Sequence, residues 1–186
     1  MSYLGADWLE RADREETEQP ERVLDALELH AGDVVADVGA GTGYFSLRIA
    51  RRVLPGGRVL ATDIQPGMLN LLKANLVTAQ ITNVEPILAT EDDARLPEDA
   101  VDLVLMVDVY HELSRPFSTL RQVKRALRAK GRLVLVEYRG EDPEVPIKEE
   151  HKMTLAAVRS EVEPCGFQFV ESLEFLPTQH VIVFTR

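Results

Sequence analysis

Short apolar-rich runs at residues 34–38, 58–63, 84–89, 101–107 and 132–138 punctuate the chain, each bounded by Gly, Pro or charged residues. The run at 101–107 is almost unbroken, as expected of a central parallel strand buried on both faces. Between the runs, apolar residues recur three and four positions apart, which predicts helices over residues 20–29, 44–53 and 116–127 and in a segment opened by Pro66. Pro20 and Pro66 suit a first helical turn, and Pro55-Gly56-Gly57 ends the second helix. A polar, proline-bearing loop over 139–152 precedes a helix capped by Thr154 and reaching residue 164. Residues 167–176 and 180–185 then read as strands joined at Pro177-Thr178, a terminal hairpin. This alternation predicts an α/β fold with helices on both faces of a mostly parallel sheet.

At 186 residues the chain holds one ordinary domain, so substrate specificity must come from loops. Residues 1–19 form a separate N-terminal segment ahead of a ligand-binding domain over 20–186. Tyr3, Leu4, Trp8 and Leu9 give that segment an apolar set at near-helical spacing, which predicts an outer helix or a lid over the site. A net charge of -10 argues against nucleic-acid and anionic-membrane surfaces. The single Cys165 excludes an internal disulfide. Without a spanning apolar run or a basic leader, a cytoplasmic protein is expected, as a monomer or homodimer.

The chemistry centres on residues 34–46, where the first strand runs into Gly39, Gly41 and Gly43 and then into a helix. Such a loop lets the backbone approach a ligand where a Cβ would collide. A dinucleotide fingerprint fits poorly, because Tyr44 stands where its third small residue belongs. Asp37, two positions before the first glycine, would repel a pyrophosphate and favour a cationic ligand.

The string Asp37-Val38-Gly39-Ala40-Gly41-Thr42-Gly43 resembles the first motif of class I S-adenosylmethionine-dependent methyltransferases. That resemblance implies a Rossmann-like three-layer sandwich with seven strands in the order 3-2-1-4-5-7-6, strand 7 antiparallel. It also implies S-adenosylmethionine as cofactor, bound by Asp37, Gly39, Ala40, Gly41 and Gly43. Asp63 closes the second strand, where such folds hold both ribose hydroxyls, and Ile64 and Met68 are candidates for the adenine face, Met68 equally for core packing. The loop Thr90 to Pro97 resembles the family's acid-Ala-x-x-Leu-Pro segment, so Asp93 and Ala94 would read the base, with Asp92 as the alternative register. Leu127-Arg128-Ala129-Lys130-Gly131 resembles the family's Leu-x-Pro-Gly-Gly turn, with Ala129 in place of the proline. Within that family the chain resembles the Methyltransferase type 11 proteins, the group that includes ubiquinone and menaquinone methylases.

The loops after the fourth and fifth strands, and the turn opening the last one, face the same rim. They carry Asp108, Tyr110, His111, Glu112, Glu137, Tyr138, His151 and His180, with Asp108 counted among the cofactor residues. His30 belongs to the opposite end. Methyl transfer needs a base only when the acceptor carries a proton, and a neutral histidine suits a phenol, an enol or an acidic carbon. His111 is the first candidate, with His151 and His180 behind it, Glu137 orienting and Tyr110 lining the substrate pocket. A divalent ion on the same histidines with Glu137 or Asp108 is the alternative, but no local ligand spacing marks it and no metal is expected. The reading is a methyltransferase for a small-molecule acceptor; a non-catalytic S-adenosylmethionine-binding protein and an NAD(P)-dependent oxidoreductase are the competing functions.

Overall fold

A computed structural model of the protein describes residues 3–186, apart from the side chains of residues 3, 4, 5 and 7. The expected contributions of Tyr3 and Leu4 to an apolar set lie outside the described side chains. Strands β1 (Val34–Val38), β2 (Arg58–Asp63), β3 (Val84–Leu88), β4 (Val101–Val107) and β5 (Leu127–Arg139) are joined by β8 (Gln179–Thr185) and β7 (Gln168–Leu173) in the order β3-β2-β1-β4-β5-β8-β7. β8 is antiparallel to both of its neighbours, and the rest of the ladder is parallel. An eighth strand, β6 (Lys152–Met153), pairs with the end of β5 at Tyr138 and Arg139. It begins at the last residue of the stretch expected to be a loop, and two residues carry too little pattern to stand out. Its pairing anchors the segment that follows His151.

The helices are α1 (Arg14–Thr17), α2 (Pro20–Ala26), α3 (Tyr44–Arg52), α4 (Pro66–Thr78), α5 (Pro116–Ala126) and α6 (Leu155–Val162). Alternation along the central strands explains the three layers. Val104 and Met106 of β4 and Leu133 and Leu135 of β5 pack with α5 and α6, through Leu120, Val123, Val158 and Val162. Leu103, Leu105, Val134 and Val136 point the other way, to Val23, Leu24, Ile49 and Val53 of the α2–α3 layer. Successive side chains of a strand face opposite sides, so a strand covered on both sides must be apolar at every position. Thr154 caps α6, its hydroxyl oxygen accepting the Ala157 N–H at 3.0 Å.

The expected helix end and turn at 127–131 is instead the start of β5. Leu127 pairs with Val101, and the register then jumps to Leu103 opposite Arg132, so the intervening residues arch out of the ladder. Ala129 keeps the backbone N–H that a proline would have removed, and strand pairing resumes without a separate turn. α2 is also shorter than its apolar pattern, ending at Ala26.

The carboxyl ends of β1, β2, β4 and β5 share one edge of the sheet. The connections from β1 and β4 diverge there, opening the crevice in which such sheets bind ligands.

Candidate functional site

A cavity of about 360 Å³ occupies this crevice, at the small end of the range of about 300–1,000 Å³ usual for small-molecule sites. Its floor is the glycine loop. Gly39 and Gly41 have φ of +76° and +56°, a region that side-chain-bearing residues enter at a cost. A Cβ on Gly39 would lie 2.4 Å from Val109 Cγ2, and one on Gly41 would lie 2.9 Å from Leu9 Cδ1. The loop is thus pressed on one side by the turn after β4 and on the other by the N-terminal segment. Thr62 O holds it, accepting the N–H groups of Gly39 and Ala40 at 2.8 and 2.9 Å.

Asp63 closes β2 at the cavity wall. Its carboxylate accepts the Gly41 N–H at 3.0 Å and the Gln65 N–H at 2.8 Å, while burial raises its pKa despite these bonds. Beside it, the buried Thr62 hydroxyl has no hydrogen-bond partner among the described residues. Asp37 is buried behind the wall and accepts the Ser46 hydroxyl at 2.5 Å. Burial pushes its pKa to about 6, with the Ser46 bond and the Arg14 charge opposing. Gly39, Gly41, Asp63, Ile64, Met68, Ala94 and Asp108 line the cavity. Asp37, Ala40 and Gly43 instead support the loop from behind; a Cβ on Gly43 would lie 2.2 Å from Leu72 Cδ1.

The adenine-loop acids are placed differently from expectation. Asp92 pairs with Arg115 at 2.9 Å, and Asp93 turns back to accept the Arg95 N–H at 2.7 Å. Neither lines the cavity; Thr90, Glu91 and Ala94 do so from this loop. An aspartate that satisfies a backbone N–H two residues on has its carboxylate fixed by its own turn.

The opposite wall is polar. Tyr110, His111 and Glu112 form a 3-10 turn after β4. The buried Glu137 of β5 accepts the Tyr110 N–H at 2.8 Å and bonds His111 Nδ1 at 2.6 Å. Because Glu137 takes Nδ1–H, the lone pair of a neutral His111 is on Nε2. That atom lies 2.9 Å from His151 Nδ1, and both rings line the cavity. One ligand atom each of His111, Glu112 and His151 fall within 4.8 Å of one another. Asp108, at φ +53°, receives both carboxylate bonds from the Gln179 amide, at 2.8 and 3.0 Å. Burial, then the neighbouring Glu137 and Glu18, hold its pKa well above the usual carboxylate value.

Two expected catalytic candidates lie elsewhere. The Tyr110 ring is buried in the core, and its hydroxyl donates to Glu161 at 2.9 Å, because the backbone bond to Glu137 turns the ring inward. His180 sits outside the cavity between Glu174, at 2.8 Å, and Glu141, at 2.9 Å. It ties the loop after β5 to the β7–β8 turn. His30 is exposed beside Asp33.

The N-terminal segment supplies a roof that the apolar pattern only half disclosed. Trp8 and Leu9 line the cavity, as do Arg11, Arg14 and Glu18. Glu18 is buried and bonded by Arg11, by Arg14 at 2.6 Å and by the Tyr138 hydroxyl at 3.4 Å. Glu10 accepts the Thr42 hydroxyl, and Arg14 stacks 4.0 Å from the Tyr44 ring centre. The i, i+4 spacing of Arg14 and Glu18 was the available signal.

A family model described as a methyltransferase domain matches residues 29–172. The chain is 28% identical over 116 residues to a ubiquinone/menaquinone biosynthesis C-methyltransferase of Hahella chejuensis, covering 62% of this chain and 47% of that protein. It is 35% identical over 117 residues to an uncharacterized methyltransferase of Mycobacterium bovis, covering 63% and 44%. It therefore spans about half the length of these curated relatives. The solved structure of a SAM-dependent methyltransferase from Aquifex aeolicus superposes with a TM-score of 0.93 at 25% identity, over 100% of this chain and 98% of that one. With the glycine loop at the switch point and the sheet order of these proteins, the chain belongs to the class I S-adenosylmethionine-dependent methyltransferases.

Proposed function

We propose that the protein transfers a methyl group from S-adenosylmethionine to a small molecule whose acceptor is a phenol, an enol or an acidic carbon. The observation that carries this reading is one cavity in which Gly39, Gly41 and Asp63 face His111 and His151. The donor set fits the cofactor. Asp63 keeps carboxylate lone pairs for ribose hydroxyls, and the unpartnered Thr62 hydroxyl adds a polar atom beside it. Arg11 and Arg14 line the cavity paired with Glu18, and Asp63, Glu91, Asp108 and Glu112 leave the rest of its lining acidic, which suits a sulfonium and an ammonium and disfavours a pyrophosphate.

Bound there, S-adenosylmethionine supplies a methyl group on a positive sulfur, open to in-line displacement. Gly39 and Gly41 would hold it through their backbone, Ile64 and Met68 would offer apolar surface to its base, and Trp8 and Leu9 would partly cover it. Glu137 fixes the His111 ring, so the corner formed by His111, Glu112 and His151 is where an acceptor loses its proton before or during transfer. A phenol or enol needs that step at neutral pH, whereas a thioether or tertiary amine does not.

The test is incubation with methyl-labelled S-adenosylmethionine and a panel of phenols, enols, thiols and amines. Label should pass to phenolic or enolic members. Transfer confined to amines would overturn the acceptor class.

A further inference from the structure

We infer that His111, Glu112 and His151 form a binding site for a divalent transition-metal ion at the acceptor end of the cavity, and that the acceptor reaches it through an oxygen. This rests on the methyltransferase reading for the acceptor but not for the ion. Two ring nitrogens and a carboxylate converge within 4.8 Å, all three from residues that line the cavity. His111 Nε2 and His151 Nδ1 are 2.9 Å apart. Two neighbouring ligands at about 2.1 Å from one ion, the usual zinc–imidazole distance, are separated by about 3 Å when they subtend a right angle at it. Each nitrogen would bind through a lone pair, so the single proton now shared between them would be displaced on binding.

Behind the first ring, Glu137 is fully buried and takes His111 Nδ1–H at 2.6 Å. A carboxylate behind a ligating imidazole fixes its tautomer and raises its basicity, the usual support for a metal-bound histidine. Glu137 is itself held by the Tyr110 N–H, so the ring is set before any ion arrives. His111 and Glu112 lie on one short turn, Tyr110–Glu112, and His151 ends another, Glu149–His151. The pairing of β6 with β5 directly after His151 sets the distance between the two turns.

Two imidazoles and one carboxylate suit zinc, iron, manganese, cobalt or nickel better than magnesium or calcium, which prefer all-oxygen shells. Three protein ligands leave positions open toward the cavity, as in catalytic rather than closed structural sites. An acceptor hydroxyl bound there gives up its proton to solvent more readily, because the ion stabilises the oxyanion. Methyl transfer then forms the bond from the methyl carbon to that oxygen, or to the carbon conjugated with it, and breaks the bond from the methyl to sulfur.

The test is calorimetric titration of chelator-treated, dialysed full-length protein with zinc chloride, and its titration with cobalt chloride followed by visible absorption. The same titrations are run on Glu112→Gln, His151→Ala and His30→Ala, and S-adenosylhomocysteine binding is measured on each metal-free protein. One ion per chain at micromolar or tighter affinity is expected, with an absorption band from nitrogen-ligated cobalt. Affinity should fall at least tenfold in Glu112→Gln and a hundredfold in His151→Ala, and stay unchanged in His30→Ala. Glu112 is exposed, so its variant reports on the site without disturbing the core. Zinc affinity equal in the wild type, Glu112→Gln and His151→Ala overturns the inference; if S-adenosylhomocysteine still binds, the methyltransferase reading survives that result. Absence of S-adenosylhomocysteine binding, with the expected pattern of metal affinities, would overturn the methyltransferase reading and uphold the ion site.

Discussion

The wall made by the glycine loop comes from one short stretch of backbone, residues 38–41, completed by the Asp63 carboxylate. The wall facing it takes His111 from the turn after β4, Glu137 from β5 and His151 from the loop before β6. The first is specified by backbone conformation, the second by side chains that only the β4–β5 pairing brings together. Damage should therefore differ in kind. On the first wall it should remove binding, and on the second it should remove turnover while binding persists.

Gly39→Val should produce the largest effect. It combines a positive φ with a Cβ placed 2.4 Å from Val109, so S-adenosylhomocysteine affinity should fall at least a hundredfold, about 3 kcal/mol by calorimetry. An affinity within threefold of wild type would show that the loop can open without loss of the floor. Glu137→Gln should do the reverse. It keeps the size of the side chain but weakens its hold on His111, so turnover should drop roughly a hundredfold with S-adenosylhomocysteine affinity within twofold. A matching fall in both would mean that the two walls are one mechanical unit.

Asp37 sharpens the comparison through pH. Its pKa is raised from 3.8 to about 6 by burial, so the folded state holds this proton more tightly than the unfolded chain does. The resulting stability is present below about pH 4 and is lost as pH rises through about 6, as much as about 3 kcal/mol for a fully buried group. Asp37→Asn, which can still accept the Ser46 hydroxyl, should lack this loss. Thermal unfolding of the two proteins should agree near pH 4 and favour the variant at pH 8; parallel curves would place Asp37 in a wetter environment. The smallest effect is expected at the roof. Glu18→Gln loosens the bonds to Arg11, Arg14 and Tyr138, so trypsin should cut at Arg11 and Arg14 several-fold faster, and S-adenosylhomocysteine should leave several-fold faster in stopped-flow measurements.

The first wall was legible in the sequence because glycine spacing and a strand-ending acid are local signals. The sheet order followed from the family resemblance of residues 37–43, while the unbroken apolar run of β4 marked a central strand that packs against both layers. The second wall was legible only as a set of residues on one rim. That set named His111, Glu137 and His151, which meet, but equally Tyr110, whose ring is turned into the core, and His180, whose ring is held by Glu141 and Glu174. Strand numbering places a residue at an edge without saying which way a turn aims its side chain. Asp93 illustrates the same limit, since its carboxylate is used by the Arg95 N–H of its own loop. Glu18 escaped notice because a buried carboxylate between two arginines looks, in sequence, like any charged surface helix.

The central claim is that the glycine floor and Asp63 form an S-adenosylmethionine site, and the most direct measurement is parallel calorimetric titration of wild type and Asp63→Ala with S-adenosylhomocysteine and NADH. Micromolar S-adenosylhomocysteine binding is predicted for the wild type, with no NADH heat, and a loss of roughly thirtyfold in Asp63→Ala, the scale of a charged hydrogen-bond partner at about 2 kcal/mol. Tight NADH binding, or equal S-adenosylhomocysteine affinity in the two proteins, would contradict it.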